Sequence, residues 1–185
     1  VELATRVSER GRGTARPWSE AQPSDLARRA PASERVDGLS SESWPHATTR
    51  LARAALGDLA RGRVLDVGTG DGVLARAALA AGATEVVGID VRPVPAVAGA
   101  TMLRVAAEDY DGAGFDVLVA NLPDPVLLDV LPRLVTMARL LIATGVRLER
   151  AAAVRARLAL LGARPVGTRA LEGWCLFVAD TPFTP

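Results

Sequence analysis

Ten residues constrain this chain more than any others: Arg63-Val64-Leu65-Asp66-Val67-Gly68-Thr69-Gly70-Asp71-Gly72, followed directly by Val73-Leu74-Ala75-Arg76-Ala77-Ala78-Leu79. The apolar run predicts a buried strand, the alternating glycines a tight turn, and the alanine- and leucine-rich segment a helix. Glycine opens backbone dihedrals closed to other residues and lets a ligand approach the chain without meeting a Cβ. The first turn of the helix adds unpaired N–H groups. Together these make a cradle for a nucleotide, although ordinary strand-to-helix turns also use glycine. The next apolar run, Glu85-Val86-Val87-Gly88-Ile89-Asp90, ends in an acid about 20 residues after the glycines, the spacing expected of a carboxylate that grips ribose hydroxyls.

The glycines fall at Gly68, Gly70 and Gly72, and the place that a dinucleotide fingerprint gives to its third glycine holds Val73. That disfavours NAD. Asp66, inside the strand, suits a ligand with positive charge near the turn, such as the ammonium and sulfonium of S-adenosylmethionine, because opposite charges at about 4 Å attract by about 4 kcal/mol at intermediate dielectric. These residues resemble the class I S-adenosylmethionine-dependent methyltransferases. The resemblance implies an α/β fold: a doubly wound, Rossmann-like, mostly parallel sheet with a carboxy-terminal antiparallel hairpin. It places Asp66, Gly68, Thr69 and Gly70 at the methionine end of the cofactor and Asp90, with Val91 beside it, at the ribose. Either Glu108 or Asp109 then faces the adenine amine.

Before the first strand, Leu51, Ala55, Leu56 and Leu59 keep helical spacing, which predicts a helix led by Ser43-Trp44-Pro45-His46-Ala47-Thr48-Thr49-Arg50. The segment His46-Ala47-Thr48-Thr49-Arg50 resembles the H-x-T-T-R segment of the PrmA-type family, bacterial methyltransferases that modify a large-subunit ribosomal protein. That resemblance puts Thr48 and Thr49 beside the cofactor. Hydroxyls at a helix start can cap the helix or bond a ligand carboxylate, and both roles stay open. His46, the single histidine, is either structural or a proton acceptor. The family's glycine-rich turn before this histidine is replaced by Ser40-Ser41-Glu42-Ser43-Trp44.

Later strands are expected at residues 102–105, 115–120 and 139–145, with a closing hairpin over 165–179 and a helix over 126–137 that Pro132 should kink or split. The fourth strand runs into Asn121-Leu122-Pro123-Asp124-Pro125. In a doubly wound sheet ligands gather at the carboxyl ends of the strands, which brings Asn121 to the cofactor. Its carbonyl can accept a hydrogen bond from a substrate N–H and aim the nitrogen lone pair at the methyl group; the alternative is a turn residue. The stretch resembles both the N-P-P-[FYW] tetrapeptide of amino methyltransferases and the N-[LI] strand end of the PrmA-type family, and matches neither fully. Asp124 is a second candidate proton acceptor, and Trp18, Trp44 and Trp174 are candidate substrate contacts.

Residues 1–43 mix arginine, acids, serine and proline without apolar periodicity, and are expected to form an amino-terminal arm or lid; residues 44–185 form the S-adenosylmethionine-binding domain. The arm is too short for the amino-terminal domain with which PrmA-type enzymes bind their ribosomal partner, so the expected substrate is an amine of a peptide or small metabolite, with natural-product tailoring one open role. The 185 residues hold no apolar run near the roughly 20 needed to span a bilayer, which predicts a cytoplasmic chain. A formal net charge of +1 supplies no strong field for nucleic acid. The lone Cys175 sits in an apolar run and is expected to be structural. The reaction expected is methyl transfer from S-adenosylmethionine, leaving S-adenosylhomocysteine, with no metal. A protein that binds the cofactor without methylating, as a scaffold or a cyclase using the sulfonium, is the alternative, and a homodimer is left open.

Overall fold

The computed structural model describes residues 45–184. The arm over 1–43, Trp18 and Trp44 lie outside them. In chain order the elements are α1 (Ala47–Leu59), β1 (Arg63–Val67), α2 (Val73–Ala80), β2 (Glu85–Asp90), β3 (Thr101–Arg104), β4 (Phe115–Asn121), α3 (Asp124–Leu134), β5 (Ala138–Arg147), a 3₁₀ turn (Leu148–Arg150), α4 (Ala151–Leu160), β6 (Arg164–Leu171) and β7 (Trp174–Asp180). They build one seven-stranded sheet in the order β3-β2-β1-β4-β5-β7-β6. The first five strands in that order are parallel, and β7 runs antiparallel between β5 and β6. The doubly wound α/β fold with a carboxy-terminal hairpin is the one expected.

Central parallel strands are covered on both faces, so β1 and β4 read as nearly unbroken apolar runs. Successive side chains alternate between the faces. Leu65, Val67, Leu118 and Ala120 join Leu127, Leu131 and Leu134 of α3 and Val154 and Leu158 of α4 in one core. Val64, Val117 and Val119 join Leu51, Ala55 and Leu56 of α1 and Leu74, Ala75 and Ala78 of α2 in the other. Cys175 is fully buried in β7, and burial pushes its thiol up to about 11, which leaves it inert at neutral pH.

Two features of these elements bear on the site. The crossover from β2 to β3, residues 91–100, contains no helix, because Pro93 and Pro95 remove backbone donors and hold the residues before them extended. Val91 is left 64% exposed at its start. Second, β5 runs two residues beyond its expected end and carries a register shift against β7 between Thr144 and Val146. The residue between them, Gly145, has φ +90°, and a Cβ there would lie 2.0 Å from the Leu122 carbonyl oxygen. Only glycine lets the turn after β4 come this close.

The α3 helix starts at Asp124 and ends at Leu134, with Pro132 in its last turn; the proline ends the helix soon after rather than splitting it. Glu172 and Gly173 both have positive φ, 51° and 79°, as a two-residue hairpin turn between twisted strands requires. Among the described residues no helix is long and apolar enough to cross a membrane.

Candidate cofactor and substrate site

The turn after β1 is held from three sides. The Gly68 and Thr69 N–H groups both donate to the Ile89 carbonyl, at 2.9 and 3.0 Å, and Gly72 N–H donates to the Thr69 carbonyl at 2.8 Å. Gly68 and Gly70 take φ +70° and +56°, which L-residues seldom adopt. From below, the Thr69 hydroxyl donates to Asp66 Oδ2 at 2.6 Å. Asp66 is 1% exposed, so its carboxylate shapes the cradle from beneath instead of forming the wall of a cavity. Burial pushes its pKa up to about 7; the Thr69 hydroxyl and the nearby Ala75 N–H oppose that, and the charges of Asp90 and Asp71 add to it. Asp66 Oδ1 makes no hydrogen bond among the described residues.

Asp90, 7% exposed at the end of β2, is bonded differently. The Gly70 N–H donates to Oδ2 at 3.0 Å and the Arg92 N–H to Oδ1 at 2.9 Å, with Arg92 Nε at 3.4 Å. Burial alone would raise its pKa, but these bonds outweigh it and hold the carboxyl below the usual aspartate value. Asp90 is therefore an anion at neutral pH, with lone pairs left to accept hydroxyl donors. It joins the glycine turn to β2 in one rigid unit.

Two cavities border this unit, and a third adjoins them at Asn121. The first, about 420 Å³, is lined by Asp90, Val91, Arg92, Val105, Ala107 and Glu108 at one end and by Gly68 and Asn121 at the other. Asp109 is exposed and does not line it. The second, about 500 Å³, is lined by Thr49, Arg53, Gly68, Thr69, Gly70 and Asn121 among others. The third, about 310 Å³, is bounded by His46, Thr48, Asn121, Asp124, Arg147 and Trp174, with Leu122, Pro123 and Gly145. Asn121 lines all three. Its Nδ2 donates to Thr49 Oγ1 at 3.5 Å, a bond that does not use its carbonyl oxygen.

The residues around the third cavity divide their roles. Thr48 is 5% exposed, and its N–H donates to His46 Nδ1 at 3.4 Å with the Thr48 hydroxyl 2.9 Å from the same nitrogen. His46 thus caps α1 through Nδ1. The His46 ring meets Trp174 edge-on, centroids 4.9 Å apart, and the Arg147 guanidinium lies 4.2 Å over the Trp174 ring. Asp124 Oδ2 accepts from Arg150 Nε at 2.8 Å, so one of its oxygens is committed.

Arg53, Arg147, Gly145 and Leu122 were missed by sequence reasoning. Arg53 carried a signal, lying four residues after Thr49 and hence on the same face of the predicted helix. Arg147 carried none until the strand register was known, since it stands opposite Trp174 across β5 and β7.

The described residues hold no cluster of histidine, cysteine and acids fit to bind a metal ion. Similarity to known proteins agrees with the geometry. The family described as ribosomal protein L11 methyltransferase (PrmA) matches residues 43–181. A ribosomal protein L11 methyltransferase of Symbiobacterium thermophilum is 38% identical over 165 residues, covering 80% of this chain and 54% of its own length. One of Deinococcus radiodurans is 52% identical over 59 residues, 31% of this chain and 22% of its own. This chain thus spans about half the length of the Symbiobacterium relative. Among solved structures, a ribosomal protein L11 methylase of Lactobacillus delbrueckii subsp. bulgaricus superposes with a TM-score of 0.66 at 24% identity, over 75% of this chain and 80% of that one. The N-methyltransferase NodS of Bradyrhizobium japonicum, in complex with S-adenosylhomocysteine, gives 0.55 at 16%, over 73% and 85%. These two structural likenesses speak for the fold alone. The match over residues 43–181 decides the family: this chain belongs to the ribosomal protein L11 methyltransferase (PrmA) family.

Proposed function

We propose that this chain is an S-adenosylmethionine-dependent methyltransferase that methylates an amine. The observation that carries the reading is Asn121, the shared wall of all three cavities. A cofactor laid across the first two would bring its methyl to the point where the third opens.

The residues present fit such a cofactor. The Asp90 anion accepts ribose hydroxyls, the exposed Val91 and the apolar Val105 and Ala107 cover the adenine, and Glu108 accepts from its amine. The glycine turn lets the methionine portion approach the backbone, and Thr49 and Arg53 face its carboxylate. When bound, S-adenosylmethionine supplies an electrophilic methyl on a sulfonium that departs as a neutral thioether. The chain has to hold a neutral amine about 3–3.5 Å from that methyl and exclude water. The Asn121 carbonyl orients the amine by accepting one N–H, while Thr49 fixes the Asn121 side chain. The remaining proton leaves to water or to the free oxygen of Asp124. His46 positions Trp174 by its edge-on ring contact.

The amine belongs to a peptide or a small metabolite. The name of the relatives makes ribosomal protein L11 the first peptide to assay. Incubation of the protein with S-adenosylmethionine and an amine panel that includes L11 should give a product heavier by one methyl. A panel without methylated product, from protein that binds the cofactor, would contradict the reading.

A further inference from the structure

The third cavity is lined by one arginine without an acidic partner. The Arg147 side chain has no hydrogen bond or ion pair among the described residues, although the cavity it lines also holds a carboxylate. The acid beside it, Asp124, is engaged by Arg150 at 2.8 Å. Arg147 is also held in place. It sits directly opposite Trp174 in the β5–β7 register, its guanidinium rests 4.2 Å over the indole, and the Leu148 N–H bonds the Gly173 carbonyl at 2.9 Å. Stacking occupies the flat face of a guanidinium and leaves its in-plane N–H fork free, the geometry that grips a carboxylate with two parallel bonds.

We propose that the third cavity selects a small amine that carries a carboxylate, an amino acid-like substrate whose carboxylate docks on Arg147 while its amine reaches Asn121. This deepens the methyltransferase reading and rests on it. The volume of about 310 Å³ accommodates one such molecule.

The test is calorimetric titration of the full chain with glycine, alanine and phenylalanine, each beside its carboxamide, repeated on Arg147→Gln and Arg147→Lys. At least one acid should bind about tenfold or more tighter than its amide, as expected when a charge-assisted pair is lost. Arg147→Gln should abolish that preference, and Arg147→Lys, which keeps the charge and loses the fork, should retain part of it. Equal binding of acid and amide, binding of neither, or a preference that survives Arg147→Gln would overturn the proposal. Preference for a peptide with an acidic side chain over every free amino acid would overturn it as well. S-adenosylhomocysteine binding, measured in parallel, keeps the two readings apart: acid preference without cofactor binding would leave the carboxylate site standing and remove the methyl-transfer assignment.

Discussion

Asp66 and Asp90 are both buried carboxylates within the cradle, yet their environments push them in opposite directions. Asp90 collects two backbone N–H donors and remains charged. Replacing it with alanine should weaken S-adenosylmethionine binding by about 1–3 kcal/mol, the loss expected for charge-assisted hydrogen bonds, and calorimetry reads this directly. Asp66 has one hydroxyl donor and a pKa pushed up to about 7. Between about pH 4, where an unfolded aspartate titrates, and about pH 7, the folded chain holds a proton that the unfolded chain has released. Rising pH through that window therefore removes stability. Asp66→Asn should cancel this contribution, so that its melting temperature relative to the unmodified protein rises from pH 5 to pH 8; a difference independent of pH would contradict the assignment. Asn121→Ala should leave cofactor affinity nearly unchanged and slow transfer by about 100-fold, the cost of a misplaced nucleophile, in single-turnover assays.

The elements were legible in the sequence wherever a single local pattern decided them. The run from Glu85 to Asp90 and the two-residue turn at Glu172-Gly173 needed only apolar patterning and turn chemistry. What stayed hidden was long-range: the bulge at Gly145, against which the Leu122 carbonyl lies, and the Arg147–Trp174 pair, which exists because of strand register. Asp66 shows the same limit at the site. Its identity suggested attraction for a cationic ligand, whereas its side chain points beneath the turn, a direction that residue type alone does not give. Gly145→Ala should test the element-level account. The added methyl meets the Leu122 carbonyl and φ +90° is strained for alanine, so stability should fall by about 1–3 kcal/mol in urea unfolding. Because the displaced turn carries Asn121, the rate of transfer should fall as well. A variant with unchanged stability would show that the turn can retreat without cost.

At the scale of the whole molecule, three parallel strands deliver their carboxyl ends to one edge of the sheet, and the antiparallel hairpin delivers Trp174 to the same edge. The α1 helix closes the arrangement, with Arg50 bonded to Glu172 at 2.7 Å and Arg169 to Asp58 at 3.0 Å tying it to the hairpin. Exposed pairs of this kind contribute at most about 1 kcal/mol each, so they align α1 with the hairpin more than they stabilise the fold. His46 and Thr48 meet Asn121 around the third cavity, and Thr49 meets it with the glycine turn around the second. The central claim, that this edge is built for a sulfonium cofactor, is tested most directly by calorimetric titration with S-adenosylmethionine and S-adenosylhomocysteine, with NAD as control. The account predicts saturable one-to-one binding of both sulfur ligands and none of NAD. Binding of NAD, or of neither sulfur ligand, would contradict it.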